Sequence, residues 1–196
     1  MKIISAKFIK SATAPDQYPD LGVPEFAFYG KSNTGKSSLI NMLVNRQGLV
    51  KTGSRPGMTQ LINFFLVNEK ICLTDLPGYG YAEVPDGVKK NFKKILVDYC
   101  NNRETLKTVF FLMDIRRDPG DLDAEMLELI QSREVPIALV ATKADKLSKN
   151  QVHQALFKWS KVFDIEPKDI FVTSSLKTQG RNELLSLIRE QSEAGQ

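Results

Sequence analysis

The sequence predicts a three-layer α/β protein, with a mostly parallel sheet of six to seven strands and helices on both faces. Three observations support this prediction. Short apolar segments of strand length recur along the 196 residues. Segments with the helical spacing of apolar residues separate most of them. Glycine-containing or polar segments follow several of the strands, and such sheets bind ligands at the carboxyl ends of their strands.

The predicted elements begin with an edge strand over Lys2–Lys10, followed by a proline-containing connector to Pro24. Asn68 and Glu69 divide two later strands and indicate a hairpin, whereas 46–60 is rich in glycine and proline and is expected to be a loop. Strands are expected at 2–10, 25–29, 61–67, 70–75, 108–114, 136–141 and 170–173. Helices are expected near 38–44, 86–99, 121–132 and 148–162, and from Arg181.

The length of 196 residues predicts a single domain, 1–196, of which 1–24 form the edge strand and connector. The apolar content of 42% and charged content of 26% are typical of a globular protein and argue against disorder. No apolar segment approaches the length of a membrane helix, and Lys7 and Lys10 interrupt the N-terminal segment too early for a secretory signal. We therefore expect a cytoplasmic monomer without membrane contact.

Residues 30–37 match the phosphate-binding pattern G-x-x-x-x-G-K-[ST] at every position, between a predicted strand and a predicted helix. The two glycines let backbone N–H groups point inward, and the helix N-terminus adds positive potential. Lys36 would contact the terminal phosphates, and the Ser37 hydroxyl would hold Mg²⁺. An ordinary glycine turn is the weaker alternative. The pattern predicts a P-loop NTPase fold and a nucleotide site formed by Gly30, Lys31, Ser32, Asn33, Thr34, Gly35, Lys36, Ser37 and Ser38.

Two further segments are candidates for the terminal phosphate and the metal. Asp75 ends a predicted strand with a carboxylate suited to hold Mg²⁺ through water, and the N–H of Gly78 would meet the terminal phosphate. Thr59 would place its hydroxyl on Mg²⁺ and its N–H on the same phosphate, although a turn threonine is an equally good interpretation of this residue alone. The metal ligands are then Ser37, Thr59 and Asp75. The nucleotide contacts extend over Gly57, Met58, Thr59, Gln60, Leu61, Asp75, Leu76, Pro77 and Gly78.

The segment Thr142-Lys143-Ala144-Asp145 follows a predicted strand and indicates which base is bound. Both oxygens of Asp145 can accept from the ring N–H and the exocyclic amine of guanine, whereas adenine would leave this carboxylate unpaired. Lys143 would lay its methylene groups across the base. After the last strand, a backbone N–H would reach the guanine oxygen from the segment Thr173, Ser174, Ser175 and Leu176. The sequence therefore predicts a GTP or GDP site and disfavours an ATP-using kinase.

The formal net charge of +4 favours anionic partners only weakly. Four lysines fall on one face of the predicted helix 86–99, opposite an apolar face: Lys89, Lys90, Lys93 and Lys94. Such a face fits the phosphates of a nucleic acid, and a hydrated protein surface is an equally good interpretation.

The five motifs stand in the order found in the Ras-like P-loop GTPases, across residues 30–176. More narrowly, the segments GKSNTGKSSLIN, RPGMTQ, DLPGYGYA, TKAD and SSLK resemble the EngB (also called YihA or YsxC) family of bacterial GTPases over nearly the whole chain. Lys31, Thr34 and Met58 differ from the residues usual in this family. Thr142 replaces the asparagine of most GTPases, as is typical of the family.

The resemblance implies a Mg²⁺-dependent GTP-binding protein that assists late assembly of the large ribosomal subunit and is associated with normal cell division and septation. Its partners would be the large subunit or its precursor, with ribosomal RNA and ribosomal proteins. The lysine-rich helix then becomes a candidate RNA contact. The alternative is a GTP-dependent switch that binds a protein partner at the division site without RNA contact.

Tyr79 stands where Ras-like enzymes have the glutamine that orients the attacking water. A phenol cannot supply the paired donor and acceptor of a carboxamide, so we expect slow intrinsic hydrolysis. The catalytic candidates are Asn33, Lys36, Thr59 and Gly78. Asn33 matches an asparagine of related cation-activated GTPases, which suggests that it helps to seat K⁺. In the competing hypothesis, the ribosomal particle completes the site.

Overall fold

The computed structural model describes residues 1–50, 61–80 and 86–194, with the backbone alone for 86–92. Within these ranges the α-helices are α1 (Lys36–Leu43), α2 (Asp86–Asn102), α3 (Asp121–Gln131), α4 (Lys149–Phe163) and α5 (Arg181–Glu193). The strands are β1 (Ala6–Ala12), β2 (Glu25–Gly30), β3 (Ile62–Val67), β4 (Ile71–Asp75), β5 (Leu106–Asp114), β6 (Ile137–Thr142) and β7 (Phe171–Val172). The predicted alternation of strands and helices is confirmed.

The strands form one sheet in the order β1-β3-β4-β2-β5-β6-β7. β3 is antiparallel to both β1 and β4, which confirms the predicted hairpin, and β1 lies at one edge of the sheet. The remaining neighbours are parallel. The chain leaves β2 toward β4 on one side and later returns to β5 on the other. The carboxyl end of β2 is therefore the point where the strand order reverses, which is where open α/β sheets bind ligands.

Alternate residues of β2 pack on opposite faces of the sheet, and all are buried. Phe26 and Phe28 belong to a core shared with α1 and α5. Ala27 and Tyr29 belong to the core shared with α2, α3 and α4. A strand covered on both faces has no polar face, which explains its continuous apolar pattern after Glu25.

The N-terminal strand begins at Ala6, four residues later than the sequence predicts. The reason is its partner: β3 ends at Val67, and the chain then turns at Asn68, whose φ is 54°. The N–H groups of Ile4 and Ser5 donate to Asn68 Oδ1, at 2.7 and 3.1 Å, instead of to a strand. In the described part of the chain, no helix is both long and apolar enough to cross a membrane.

Candidate nucleotide-binding site

The predicted site segments leave the sheet at one edge. Gly30 ends β2, Asp75 ends β4 and Thr142 ends β6, and these strands run in the same direction. Ser174 follows β7, which is parallel to β6. The structure therefore brings the phosphate loop, the D-x-x-G segment and the base segment together around the carboxyl end of β2.

The phosphate loop packs closely against β5. A Cβ atom at Gly30 would lie 2.4 Å from the carbonyl oxygen of Leu112, so that only glycine fits. Gly35 has a φ of +101°, which L side chains rarely adopt, and it directly precedes α1. Asn33 has a φ of 64°, in the left-handed region that asparagine tolerates better than most residues. The loop therefore curls in front of the N-terminus of α1, a favourable place for phosphate.

Lys36 and Asp75 face each other at the base of this loop. Lys36 Nζ lies 3.6 Å from Asp75 Oδ1, and the two side chains are 13% and 12% exposed. Burial raises the pKa of Asp75, and the positive charge of Lys36 opposes that shift. Among the described residues, Asp75 Oδ1 has no hydrogen-bond partner. This oxygen therefore has its ion pair with Lys36 but no hydrogen bond, and it can accept from a ligand or coordinate a cation.

The residues present fit Mg²⁺. Ser37 and Asp75 line one cavity of about 730 Å³, together with Lys36 and Gly78. Hydroxyl and carboxylate oxygens are ligands that Mg²⁺ prefers. Ser37 and Asp75 would hold the ion, which would supply positive charge to the phosphate oxygens.

Gly78 lies directly against the phosphate loop. A Cβ atom there would be 3.1 Å from both Gly30 O and Ser32 Oγ. The next residue is paired with the loop, because Ser32 N–H donates to Tyr79 O at 2.8 Å and Tyr79 N–H donates to Gly30 O at 3.3 Å. Leu76 is buried, and its N–H donates to Phe28 O at 3.0 Å. The D-x-x-G segment is thus fixed beside the loop.

Thr142 joins the base segment to the phosphate loop. Its hydroxyl oxygen lies 2.6 Å from Thr34 O and 3.0 Å from Met113 O, and its single proton serves one acceptor at a time. Thr142 and Thr34 are both buried. One hydroxyl is therefore sufficient to connect the two segments at the position where most GTPases have asparagine.

Lys143 reaches over the phosphate loop, where it pairs with the carboxylate of Asp114. Arg116 binds the same carboxylate. Its Nζ donates to the carbonyl of Asn33 and lies 3.0 Å from Asp114 Oδ2. Arg116 donates to both oxygens of Asp114, from Nε at 2.9 Å and from Nη2 at 2.6 Å. Burial opposes ionisation of Asp114, but the hydrogen bonds from Arg116 and Lys143 outweigh it and hold its pKa at about 2. Asp114 is therefore charged at neutral pH.

Neither Asp114 nor Arg116 was predicted as a site residue from the sequence. The available signal was the position of Asp114, which ends a strand at the same sheet edge as Asp75 and Thr142. Asp114 lies outside the five motifs quoted above.

Asp145 is oriented by Ser174, whose hydroxyl donates to Asp145 Oδ1 at 2.6 Å. Lys146 Nζ lies 3.6 Å from the other oxygen. The hydrogen bond from Ser174 lowers the pKa of Asp145, so the carboxylate is charged and can accept. The sequence pointed to this segment for its backbone N–H groups and missed the role of the Ser174 hydroxyl.

The backbone N–H of Ser174 is engaged, because it donates to Gln179 O at 3.2 Å. Within the described ranges, the N–H groups of Ser175 and Leu176 make no such bond and are the candidates for the guanine oxygen. Leu176 is 77% exposed, although it is a large apolar residue.

The other predicted residues differ in where they lie relative to the site. Thr173 is buried, and its N–H and hydroxyl contact Ala141 O at 2.7 and 3.2 Å, so it supports the sheet edge. Ser38 lies in the first turn of α1, and Leu61 lines the cavity beside Asp75. Pro77 lines the same cavity, and Lys31 pairs with Tyr79 in a short parallel bridge. Gly57, Met58, Thr59 and Gln60 lie outside the described residues.

This fold and this edge of the sheet define a P-loop GTPase. The family model described as "50S ribosome-binding GTPase" matches residues 25–143. The chain belongs to the EngB family of GTP-binding proteins. It is 47% identical to a probable GTP-binding protein EngB from Treponema denticola, with 96% of this chain and 98% of the relative aligned. A protein of the same name from Fusobacterium nucleatum is also 47% identical, over 97% of this chain and 98% of the relative.

Solved structures show the same fold. A probable GTP-binding protein EngB has a TM-score of 0.71 at 21% identity and covers 87% of this chain and 99% of its own. A variant of Aquifex aeolicus Era bound to GDP and aluminium fluoride also has a TM-score of 0.71, at 24% identity, over 89% of this chain and 58% of its own. The predicted fold class is confirmed, and family membership shows guanine nucleotide binding and GTP hydrolysis, usually with Mg²⁺.

Proposed function

We propose that this protein is a GTP-dependent switch that assists assembly of the large ribosomal subunit in the cytoplasm, as a single-domain monomer, and that normal cell division and septation depend on it. The observation that carries the proposal is the match to a family model whose description names binding to the 50S ribosome. In the proposed cycle, the GTP form binds the large subunit or its precursor through RNA and ribosomal proteins, and hydrolysis releases it.

The nucleotide would be held in three parts. Residues 30–38 would bind the phosphates, with Lys36 on the terminal ones, and Ser37, Thr59 and Asp75 would hold Mg²⁺. Residues 57–61 and Gly78 would respond to the terminal phosphate. Asp145 would read guanine, with the backbone of 173–176 beside it.

Helix α2 is the proposed RNA contact. It begins at Asp86, soon after the D-x-x-G segment, so a partner on α2 would lie close to the nucleotide-dependent part of the chain. Lys94 is exposed, whereas Lys93 is paired with Glu125 of α3. The exposed Lys93–Glu125 ion pair is weak, so Lys93 can leave the carboxylate of Glu125 and bind a phosphate with little loss of free energy.

Co-sedimentation with purified large ribosomal subunits tests the proposal. We expect binding with a GTP analogue, weaker binding with GDP, and an affinity that falls as salt rises. Substituting Lys89, Lys90, Lys93 and Lys94 by Gln should weaken binding and reduce its salt dependence. The matched control carries the same charge change on four exposed lysines on and after α4: Lys149, Lys158, Lys161 and Lys168. Equal binding in all nucleotide states would contradict the switch.

The alternative is a switch whose partner is a protein at the division site, without RNA contact. It predicts no co-sedimentation with the large subunit, and equal behaviour of the two lysine variants in that assay. The discriminating feature is the lysine face of α2, since a purely protein partner has no requirement for phosphate binding there.

Hydrolysis is proposed to be slow without an activator. Tyr79 is 3% exposed, so the phenol lies in the core instead of beside the terminal phosphate, and it cannot orient water there. Lys36 and Gly78 would stabilise charge on the terminal phosphate, and Thr59 would act beside them.

Two hypotheses describe the missing activation. In the first, Asn33 helps to seat K⁺; its exposure and left-handed backbone at the start of the site support this hypothesis. Single-turnover rates should then be higher in K⁺ than in Na⁺, and Asn33→Ala should remove the difference. In the second, the ribosomal particle completes the site. Rates that do not change when large subunits are added would exclude it.

A further inference from the structure

The side chain of Tyr79 is fixed in the core, although this residue follows the glycine proposed to contact the terminal phosphate. Its ring centroid lies 5.2 Å from that of Tyr29 and 6.1 Å from that of Phe111. Its hydroxyl donates to Asp123 Oδ1 at 2.7 Å. Burial raises the pKa of Tyr79, and the hydrogen bond to Asp123 raises it further, so the phenol stays protonated and remains a donor.

The acceptor is fixed independently of Tyr79. Asp123 is 8% exposed and lies in the first turn of α3. Its second oxygen accepts the N–H of Gly120 at 2.9 Å, which caps the helix. A carboxylate in the first turn is further stabilised by the helix dipole. Asp123 is therefore held in place by α3, and a movement of the segment after β4 would break its hydrogen bond to Tyr79.

The backbone of Tyr79 is tied to the opposite side, to the phosphate loop. Ser32 N–H donates to Tyr79 O, and Tyr79 N–H donates to Gly30 O. Gly78 is one residue earlier and lies so close to this loop that a Cβ atom would meet Gly30 O and Ser32 Oγ at 3.1 Å. Any shift of Tyr79 is thus passed directly to Gly78.

We propose that Tyr79 is a positioning residue that makes the site discriminate GTP from GDP. Its hydrogen bond to Asp123 links the D-x-x-G segment to α3 and fixes the backbone of Gly78 where its N–H meets the terminal phosphate. GDP lacks that phosphate, so we expect its affinity to depend much less on this bond. The inference rests on the proposed placement of Gly78 at the terminal phosphate, and the experiment tests that placement separately.

The test compares dissociation constants for GDP and for a non-hydrolysable GTP analogue, both with Mg²⁺. Tyr79→Phe removes one hydroxyl and keeps the ring, and we expect the analogue to bind about three- to tenfold more weakly, as for the loss of one neutral hydrogen bond. GDP affinity should stay within about twofold, since the bond serves only the terminal phosphate. Tyr29→Phe is the matched control, because Tyr29 is equally buried and its hydroxyl contacts Met126 Sδ at 3.4 Å.

Two further variants separate the possible failures. Asp123→Asn removes the charged acceptor from the α3 side and should give the same selective loss. Gly78→Ala tests the placement of Gly78, and its GDP affinity reports how far the added Cβ disturbs the phosphate loop. A GTP-analogue affinity unchanged by this variant would overturn that placement. Suppose that Gly78→Ala weakens binding of the GTP analogue more than binding of GDP. If Tyr79→Phe then weakens binding of both nucleotides equally, or leaves both affinities unchanged, Tyr79 has only a packing role and the inference is wrong. Thermal unfolding of each GDP complex shows that the variants are folded.

Discussion

Asp114 shows how one buried charge can set the position of a residue that is proposed to contact the ligand. It is 5% exposed, and its two oxygens bind Arg116 and Lys143. Lys143 in turn donates to the carbonyl of Asn33 in the phosphate loop. We therefore expect Asp114 to act on the candidate nucleotide site through Lys143.

We predict that Asp114→Asn weakens GDP binding about three- to tenfold, because Lys143 loses its ionic partner while the volume of the side chain is kept. The substitution also removes a pH-dependent contribution to stability. Hydrogen bonds lower the pKa of folded Asp114 from 3.8 to about 2, so its stabilising contribution is complete above pH 3.8 and is lost as the pH falls toward 2.

Urea unfolding at several pH values measures this contribution. The difference in free energy of unfolding between the wild-type protein and Asp114→Asn should be largest near neutral pH and shrink below pH 3.8. The control is Asp118→Asn, since Asp118 is 70% exposed and pairs only with the exposed Lys158 in the described part of the chain. A difference that is independent of pH would show that the charge of Asp114 does not contribute.

At the scale of elements, α2 is anchored to the start of β2 by a buried carboxylate. Glu25 is 1% exposed and accepts from Arg103 Nε at 3.0 Å and from Nη2 at 2.7 Å. The hydroxyls of Thr74 and Tyr99 also donate to Glu25. Tyr99 lies in α2, and Arg103 directly follows this helix. The network therefore fixes the C-terminal end of α2, the helix that carries the lysine face.

We predict that Arg103→Met lowers the free energy of unfolding by about 3–5 kcal/mol, because it leaves the charge of Glu25 buried without its ionic partner. Urea unfolding at pH 7 measures this loss. Adding Glu25→Gln to Arg103→Met should restore part of the stability, since the double variant no longer buries an unpaired charge. Arg189→Met, an exposed position on α5, is the control. Additive losses in the double variant would contradict the anchor.

Local sequence patterns predicted the elements well where the signal itself is local. The glycine loop, its flanking strand and its helix are set by residues 25–44, and the hairpin by Asn68 and Glu69. The edge strand was placed too early because its limit depends on Asn68, more than sixty residues away in sequence. The Ser174–Asp145 and Tyr79–Asp123 hydrogen bonds join segments that lie far apart in sequence, and no spacing rule predicts such pairs.

At the scale of the whole molecule, the candidate site is formed by segments from several parts of the chain. Its segments follow β2, β4, β6 and β7, so they come from both sides of the point where the strand order reverses. A ligand that bridges these segments binds the folded protein and not the unfolded chain. Nucleotide binding should therefore stabilise the entire domain instead of one part of it.

We predict that GDP with Mg²⁺, at 100 times its dissociation constant, raises the free energy of unfolding by about 2.7 kcal/mol. The unfolding curve should keep a single transition, because 1–196 is expected to be one domain, and ATP at the same concentration should have no effect. In Asp145→Asn the stabilisation by GDP should fall and xanthosine diphosphate should replace it, since the amide matches the edge of xanthine. Two separate unfolding transitions would contradict the prediction of a single domain. Stabilisation by GDP that Asp145→Asn leaves unchanged would contradict the proposed role of Asp145 in binding the base.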